Sequence, residues 1–150
     1  MDHEPSNILF VEDEEAHAEL TKRAIRKTAN ANRIDVLTDG EEALDYIFNR
    51  GKYADKAQYP LPGLVLLDIR LPGIDGIEVL KQIKKDPVLK KIPVVMLTTS
   101  NREEDICECY RHFVNGYVIK PMGFKQFEER IMQIDSYWMM ANEPPSYGFG

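Results

Sequence analysis

Five apolar runs of strand length alternate with segments of helical periodicity along this 150-residue chain. This alternation is typical of repeated βα units, in which helices connect the parallel strands of one sheet. Only the second run alternates, as an edge strand does. The other four are nearly continuous, which predicts strands that are interior or covered by helices on both faces. The predicted strands are residues 7–12, 33–37, 64–68, 93–98 and 116–119.

The intervening segments place apolar residues three and four positions apart, so each predicted helix has one face to lay on the sheet. The last helix is the most regular. Its stripe consists of Phe124, Phe127, Ile131, Ile134 and Trp138. Core packing is the favoured interpretation of this stripe, and a groove for a partner is the alternative.

Two segments lack a regular pattern. Residues 49–63 form a connection longer than α/β loops usually are, and we expect Tyr53 and Tyr59 to anchor it. Residues 142–150 show no periodicity, which predicts a flexible tail. We therefore expect one domain at 6–140, a short N-terminal extension at 1–5 and a C-terminal tail at 141–150.

Charge and composition exclude several classes of protein. The formal net charge is −6, and the Lys and Arg residues are scattered, which argues against a direct nucleic-acid partner. No apolar stretch approaches the roughly 20 residues of a membrane span, and no signal peptide is recognisable, so the cytoplasm is expected. Cys107 and Cys109 are two residues apart in a predicted helix and therefore point in different directions, which excludes a disulfide between them.

Acidic residues lie where the first and third predicted strands end. Glu12 ends the first strand and Asp13 comes directly after it, and Asp68 ends the third strand. Because parallel strands share one carboxyl edge, these carboxylates converge if the two strands are neighbours. Like charges ~4 Å apart repel by about 1–4 kcal/mol at surface-like dielectrics, so a cation is expected. Oxygen ligands without a neighbouring His or Cys favour Mg²⁺. For Glu14 and Glu15, the first turn of a helix is a sufficient explanation.

The fourth and fifth predicted strands also end in polar side chains, Thr98 and Lys120. A Lys at this edge supplies a counter-charge, and a hydroxyl can donate to an oxyanion. In this order, the strand-end residues resemble the response-regulator receiver domain of two-component signalling, across residues 6–138. The matching pieces are Glu12-Asp13; Asp68 with Leu71-Pro72-Gly73-Ile74-Asp75-Gly76; Thr98 after Pro93-Val94-Val95-Met96-Leu97; and Lys120-Pro121 after Gly116-Tyr117-Val118-Ile119.

The resemblance implies a flavodoxin-like, doubly wound α/β fold, with a five-stranded parallel sheet in the order 2-1-3-4-5 and five helices. It implies that Asp68 is the phosphoacceptor and that Mg²⁺ is held by Asp13, Asp68 and the main-chain carbonyl of Arg70, with Glu12 assisting through water. Two further roles follow. Thr98 and Lys120 hold the phosphoryl oxygens, and Thr98 and Tyr117 form the switch.

Two features depart from the commonest family pattern. Glu12 stands where Asp is commoner. Arg70 and Ser100 occupy positions that tune dephosphorylation in the family, and Arg70 either shields the acyl phosphate or reaches a partner. The long connection and the Tyr137-Trp138 ending resemble the single-domain regulators that are paired with phytochrome-type sensor kinases.

The leading hypothesis is a single-domain phosphorylation switch that receives its phosphoryl group from a sensor histidine kinase or a histidine phosphotransfer protein. Its output is a protein contact or a phosphorelay, and we expect a homodimer through the face formed by helix 4, strand 5 and helix 5. One alternative is a phosphatase or phosphotransferase with an aspartyl-phosphate intermediate, although Arg70 stands where such enzymes need an acid. The other is a binding module that does not depend on phosphorylation.

Overall fold

The computed structural model describes residues 7–28 and 33–143. Five parallel strands form one sheet in the order β2-β1-β3-β4-β5. This confirms the predicted doubly wound topology. The strands are β1 (Asn7–Val11), β2 (Arg33–Leu37), β3 (Leu64–Leu67), β4 (Val94–Thr98) and β5 (Gly116–Ile119).

Helices cover both faces of the sheet. Helices α1 and α5 pack together on one face, and α2, α3 and α4 lie on the other. Successive side chains of a strand point to opposite faces, so Ile8 and Phe10 enter one apolar layer while Leu9 and Val11 enter the other. The helices are α1 (Glu15–Arg26), α2 (Gly40–Ile47), α3 (Gly76–Lys85), α4 (Glu103–Arg111) and α5 (Phe124–Ser136).

The apolar stripe of α5 largely packs into the core, as predicted. Phe127, Ile131 and Ile134 are buried, and Trp138 is half-buried against the same layer. Phe124 is different, with 76% of its surface exposed, so the core interpretation was wrong for this residue. It is the first residue of the helix, one turn before the first buried residue of the stripe, Phe127.

Three tyrosines fasten the long connection to the domain. Rings of Tyr53 and Tyr59 lie 4.9 Å apart, and both contact the ring of Tyr46 in α2. The Tyr46 hydroxyl donates to Oδ2 of Asp35 in β2, at 2.6 Å. The prediction that Tyr53 and Tyr59 anchor this segment is confirmed, and a short 3₁₀ helix at Gly51–Tyr53 supplies its local order.

The prediction of burial was wrong for β5. This strand is half-buried, and 43% of Ile119 is exposed. Its position at the sheet edge leaves one side without a neighbouring strand, which a continuous apolar run does not reveal. At the C-terminal end, a π-helix at Tyr137–Ala141 follows α5, so the predicted boundary at residue 140 falls inside a helical turn. The predicted extension at 1–5 and residues 144–150 of the predicted tail lie outside the described residues.

Candidate functional site

The carboxyl ends of β1 and β3 bring two buried acids together. Val11 and Leu67 are register partners, and each is followed by an acid, Glu12 and Asp68. The main-chain N–H of Asp68 donates to the carbonyl of Val11 at 3.1 Å, which holds the two strand ends side by side. Glu12 is 1% exposed and Asp68 is 7% exposed. Two carboxylates with so little water around them require a cationic partner.

Lys120, the residue after β5, is that partner. Its Nζ lies 2.8 Å from Oδ2 of Asp68 and also donates to Oε1 of Glu12. The main-chain N–H of Lys120 donates to the carbonyl of Thr98 at 2.7 Å, which fixes where the side chain starts. The predicted counter-charge therefore lies between the two acids, across a sequence separation of 52 residues from Asp68.

A histidine completes the surroundings of Lys120. Nδ1 of His17 lies 2.9 Å from the Lys120 ammonium and 3.1 Å from Oε2 of Glu14. The expectation that no histidine neighbours the acids was wrong. His17 lies in the first turn of α1, a helix that begins at the same edge of the sheet, and this placement after the first strand was the available signal.

Burial controls the electrostatics of this cluster. It raises the pKa of Glu12 from 4.5 to about 7, and the hydrogen bond and charge of Lys120 oppose that shift. Burial also lowers the pKa of His17 below 6.5, and the charge of Lys120 lowers it further, against Glu14 and Asp68, which raise it. Neutral imidazole is therefore favoured near pH 7.

The fourth strand delivers a buried hydroxyl to the same edge. Thr98 is fully buried, and its Oγ1 accepts a hydrogen bond from the main-chain N–H of Ser100 at 3.3 Å. The Tyr117 hydroxyl donates to the carbonyl of Ser100 at 2.9 Å, so the half-buried ring lies inward beneath the β4–α4 loop. Burial raises the pKa of this phenol. Both predicted switch residues thus contact the same loop residue.

The remaining predicted ligands are the side chain of Asp13 and the main-chain carbonyl of Arg70. Asp13 and Arg70 have exposed side chains, and the main-chain N–H of Arg70 is 3.4 Å from Oδ1 of Asp68. Within residues 7–28 and 33–143, no three Asp, Glu, His or Cys side chains lie close enough to hold a metal ion between them. The structure brings Glu12 and Asp68 together around Lys120, whereas Asp13 faces solvent.

Gly76 is a second residue whose part the sequence reasoning missed. A Cβ atom at this position would lie 2.0 Å from the main-chain oxygen of Asp68. Its N–H donates to the carbonyl of Ile69 at 2.7 Å, so the first residue of α3 packs directly on the backbone that carries Asp68. The available sequence signal is the Gly at the end of the Leu71-Pro72-Gly73-Ile74-Asp75-Gly76 motif.

Comparison with protein-family models decides the family. The model of the response regulator receiver domain matches residues 8–132. The chain is a response-regulator receiver domain. Its strand order is that of the family fold, and receiver domains are phosphorylated by histidine kinases.

Known regulators resemble this receiver domain over nearly its full length. The probable methanogenesis regulatory protein FilR2 of Methanothrix harundinacea is 43% identical, over 95% of this chain and 89% of FilR2. Response regulator Rcp1 of Synechocystis is 38% identical, over 90% of both chains. The crystal structure of phosphorylated RcpA, a cyanobacterial phytochrome response regulator, matches with a TM-score of 0.91 at 37% identity, over 95% of this chain and 100% of RcpA.

A Mn²⁺-bound structure of Rcp1 matches this receiver domain with a TM-score of 0.88, over 95% of this chain and 100% of that one. Both structures confirm the flavodoxin-like fold. Among the residues that the structure describes, no helix combines the length and apolar content needed to cross a membrane.

Proposed function

We propose that this receiver domain is a phosphorylation switch in which Asp68 accepts a phosphoryl group from a phosphohistidine. One observation carries the proposal. Asp68 is a buried carboxylate at the carboxyl edge of the sheet, and the ammonium of Lys120 contacts it at 2.8 Å. Phosphoryl transfer depends mostly on positioning and on neutralising the phosphoryl oxygens, and this arrangement supplies both.

The transfer requires one carboxylate oxygen of Asp68 to attack phosphorus. An oxygen–phosphorus bond forms as the nitrogen–phosphorus bond of the donor histidine breaks, and the electron pair remains on the imidazole. Lys120 and the hydroxyl of Thr98 hold phosphoryl oxygens. Water later attacks phosphorus in the acyl phosphate, which regenerates the Asp68 carboxylate and releases inorganic phosphate. The proposed self-phosphorylation and self-dephosphorylation depend on Mg²⁺, and the domain is not proposed to act as an enzyme on other substrates.

A divalent cation, Mg²⁺, is proposed at the outer side of this site. Asp13, Asp68 and the main-chain carbonyl of Arg70 would hold it, with Glu12 assisting through water. The donors fit Mg²⁺ chemically because they are hard oxygens, and Mg²⁺ keeps several waters rather than requiring a cage of side chains. The exposed Asp13 accords with such a hydrated ion. The bound cation would neutralise phosphoryl oxygens, and the Mn²⁺ of Rcp1 supports this assignment by similarity.

The output is proposed to pass through Thr98 and Tyr117. When the Thr98 hydroxyl turns toward the phosphoryl group, it releases the N–H of Ser100, whose carbonyl accepts from Tyr117. The surface of α4, β5 and α5 would change in consequence. The exposed aromatic residues Tyr110 of α4 and Tyr137, which follows α5, support a homodimer through this face. Light scattering that shows only a monomer, with and without a phosphoryl mimic, would refute the dimer.

We propose that the protein is a single-domain regulator located in the cytoplasm, with its receiver domain at 6–140. FilR2 and Rcp1, most of whose lengths are matched, support this organisation. Its donor would be a sensor histidine kinase or a histidine phosphotransfer protein, and its output a protein contact or a further phosphorelay.

A small phosphodonor with Mg²⁺ tests the proposed function. We expect the wild-type protein to gain one phosphoryl group, seen by intact mass, and to lose it in hydroxylamine, which cleaves acyl phosphates. Asp68→Asn should gain none. Asp45→Asn is the matched control, because Asp45 is a surface carboxylate paired with Arg50. A label that persists in Asp68→Asn, or its absence from wild type, would contradict the proposal, and rapid turnover of phosphate esters would favour an enzyme.

A further inference from the structure

His17 is a polar side chain at the site that the proposed function leaves without a role. It lies in the first turn of α1, and 22% of its side chain is exposed. Its Nδ1 lies 2.9 Å from Nζ of Lys120. Its ring stacks on Phe127 of α5, with centroids 5.4 Å apart and an interplanar angle of 22°. The ring is therefore held by one helix, supported by another and directed at Lys120.

The contact with Lys120 determines which way the hydrogen bond runs. An ammonium has three N–H donors and no acceptor, so Nδ1 of His17 must accept, and the ring carries its hydrogen on Nε2. Glu14 lies 3.1 Å from the same nitrogen, but its side chain is 59% exposed, so water can solvate it instead. A short contact between Nδ1 and an ammonium is incompatible with a proton on that nitrogen.

All three donors of Lys120 have acceptors. They are Oε1 of Glu12, Nδ1 of His17 and Oδ2 of Asp68. The first two acceptors come from the end of β1 and the start of α1, which are adjacent in the chain. The third is the proposed phosphoacceptor. Hydrogen bonds to Glu12 and His17 thus direct the remaining N–H of Lys120 at Asp68.

We propose that His17 is a positioning residue that, together with Glu12, orients the Lys120 ammonium toward the phosphoryl group on Asp68. The inference rests on the proposed function and deepens it. When Asp68 carries a phosphoryl group, Lys120 exchanges its bond to Asp68 for one to a phosphoryl oxygen. His17 and Glu12 keep their bonds, so the ammonium need not be reoriented.

A neutral acceptor suits this role for an electrostatic reason. Lys120 already faces the carboxylates of Glu12 and Asp68. A third carboxylate in the place of His17 would compete with the phosphoryl oxygens for the same positive charge, and its desolvation would add a further cost. An imidazole nitrogen fills the third hydrogen-bond direction without adding charge. Its stacking on Phe127 keeps the nitrogen in position.

Two substitutions separate the acceptor from the ring. His17→Asn places a side-chain oxygen near the position of Nδ1 and removes the stacking on Phe127. His17→Phe retains a ring for Phe127 and removes the acceptor. If His17 acts through Lys120, the His17→Asn variant should resemble wild type in both measurements below, and the His17→Phe variant should not. If His17 only packs, the order is reversed. His17→Leu also lacks the acceptor and carries the same expectation as His17→Phe should the latter fail to fold.

The first measurement uses unphosphorylated protein without added metal. Nitrogen-15 NMR detects lysine ammonium groups whose hydrogens exchange slowly, and burial with three acceptors should make Lys120 one of them. A Lys120→Arg variant assigns the signal. We expect the signal in wild type and in His17→Asn, and its loss in His17→Phe. A signal that is unchanged in His17→Phe would overturn the inference.

The second measurement is the rate of acyl-phosphate formation from a small phosphodonor with Mg²⁺. Loss of one hydrogen bond predicts a rate about two- to tenfold lower in His17→Phe, and His17→Asn should recover it to within about twofold. Equal rates in the two variants, or a slower His17→Asn, would overturn the inference while leaving the proposed function intact. Absence of acyl phosphate on wild type would overturn both, which distinguishes the two failures.

Discussion

The hydroxyl of Tyr117 donates to the main-chain carbonyl of Ser100 at 2.9 Å, which ties β5 to the loop between β4 and α4. The main-chain N–H and the hydroxyl of Ser100 also donate hydrogen bonds. Its N–H donates to Oγ1 of Thr98 at 3.3 Å, and its hydroxyl donates to Oδ2 of Asp105 at 2.5 Å. One loop residue therefore links a strand-end hydroxyl, an aromatic ring and the first turn of α4.

Tyr117→Phe should loosen this loop. The substitution removes the hydrogen bond to Ser100 and keeps the ring, so we expect the free energy of unfolding to fall by about 0.5–1.5 kcal/mol. Amide hydrogen exchange should become faster in residues 99–102. Tyr110→Phe is the control because the Tyr110 side chain is exposed, and it should change neither quantity. Equal exchange rates in Tyr117→Phe and wild type would contradict the link.

Gly76→Ala should displace the backbone that carries Asp68. Its Cβ would meet the main-chain oxygen of Asp68 at 2.0 Å, so α3 and the backbone that carries Asp68 must move apart. We expect a loss of at least about 1–3 kcal/mol in the free energy of unfolding, the usual range for overpacking, together with slower acyl-phosphate formation.

Gly116→Ala is the matched control for this substitution. A Cβ at Gly116 would lie 3.6 Å from the side chain of Val95, an ordinary van der Waals contact. The variant should keep the wild-type free energy of unfolding, measured by urea denaturation, to within about 0.5 kcal/mol. If the two variants were equally stable, the close packing of Gly76 on Asp68 would be wrong.

Lys84 should make stability depend on alkaline pH. Its ammonium donates to the carbonyls of Lys90 and Ile92 at 2.9 Å and to Oδ1 of Asn115 at 2.8 Å. Burial lowers the pKa of Lys84 from 10.5 to about 8, so between these pH values the unfolded chain binds more protons than the folded protein. The contribution of this titration to the free energy of unfolding therefore rises with pH across that window and is lost as pH falls through about 8.

Urea denaturation of wild type and Lys84→Met measures this dependence. The free energy of unfolding of wild type minus that of Lys84→Met should be larger at about pH 10 than at about pH 7. Lys85→Met, which removes an ammonium at an exposed neighbouring position, is the control. If that difference in the free energy of unfolding became smaller as pH rises, Lys84 would not titrate below the usual lysine range.

The two cysteines should differ sharply in reactivity. Burial raises the pKa of the Cys109 thiol to about 12, and the residue is fully buried. Cys107 is exposed, and its hydrogen bond to Oε1 of Glu103 raises the pKa of its thiol. With a chromogenic disulfide reagent at about pH 8, only Cys107 should react in the folded protein. Glu103→Gln should speed that reaction, and simultaneous labelling of both thiols would contradict the burial of Cys109.

Local patterns were sufficient to predict most of the fold. Continuous apolar runs and helical spacing are properties of neighbouring residues, so they located all five strands to within a residue at each end. Chain order also placed Asp68 and Lys120 at strand ends, since the strands are parallel. The burial of β5 was overestimated because exposure depends on what lies beside a strand, and Ile119 lies at the edge of the sheet.

The sequence by itself determined the family and which edge of the sheet carries the polar residues, because both follow from the order and spacing of strand-end motifs. Only the tertiary structure decided how those side chains meet. It directs Lys120 between Glu12 and Asp68, adds His17 to that contact and leaves the Asp13 side chain in solvent. Hydrogen bonds between residues distant in the chain depend on side-chain direction and on helix packing. The spacing of residues along the sequence predicts neither.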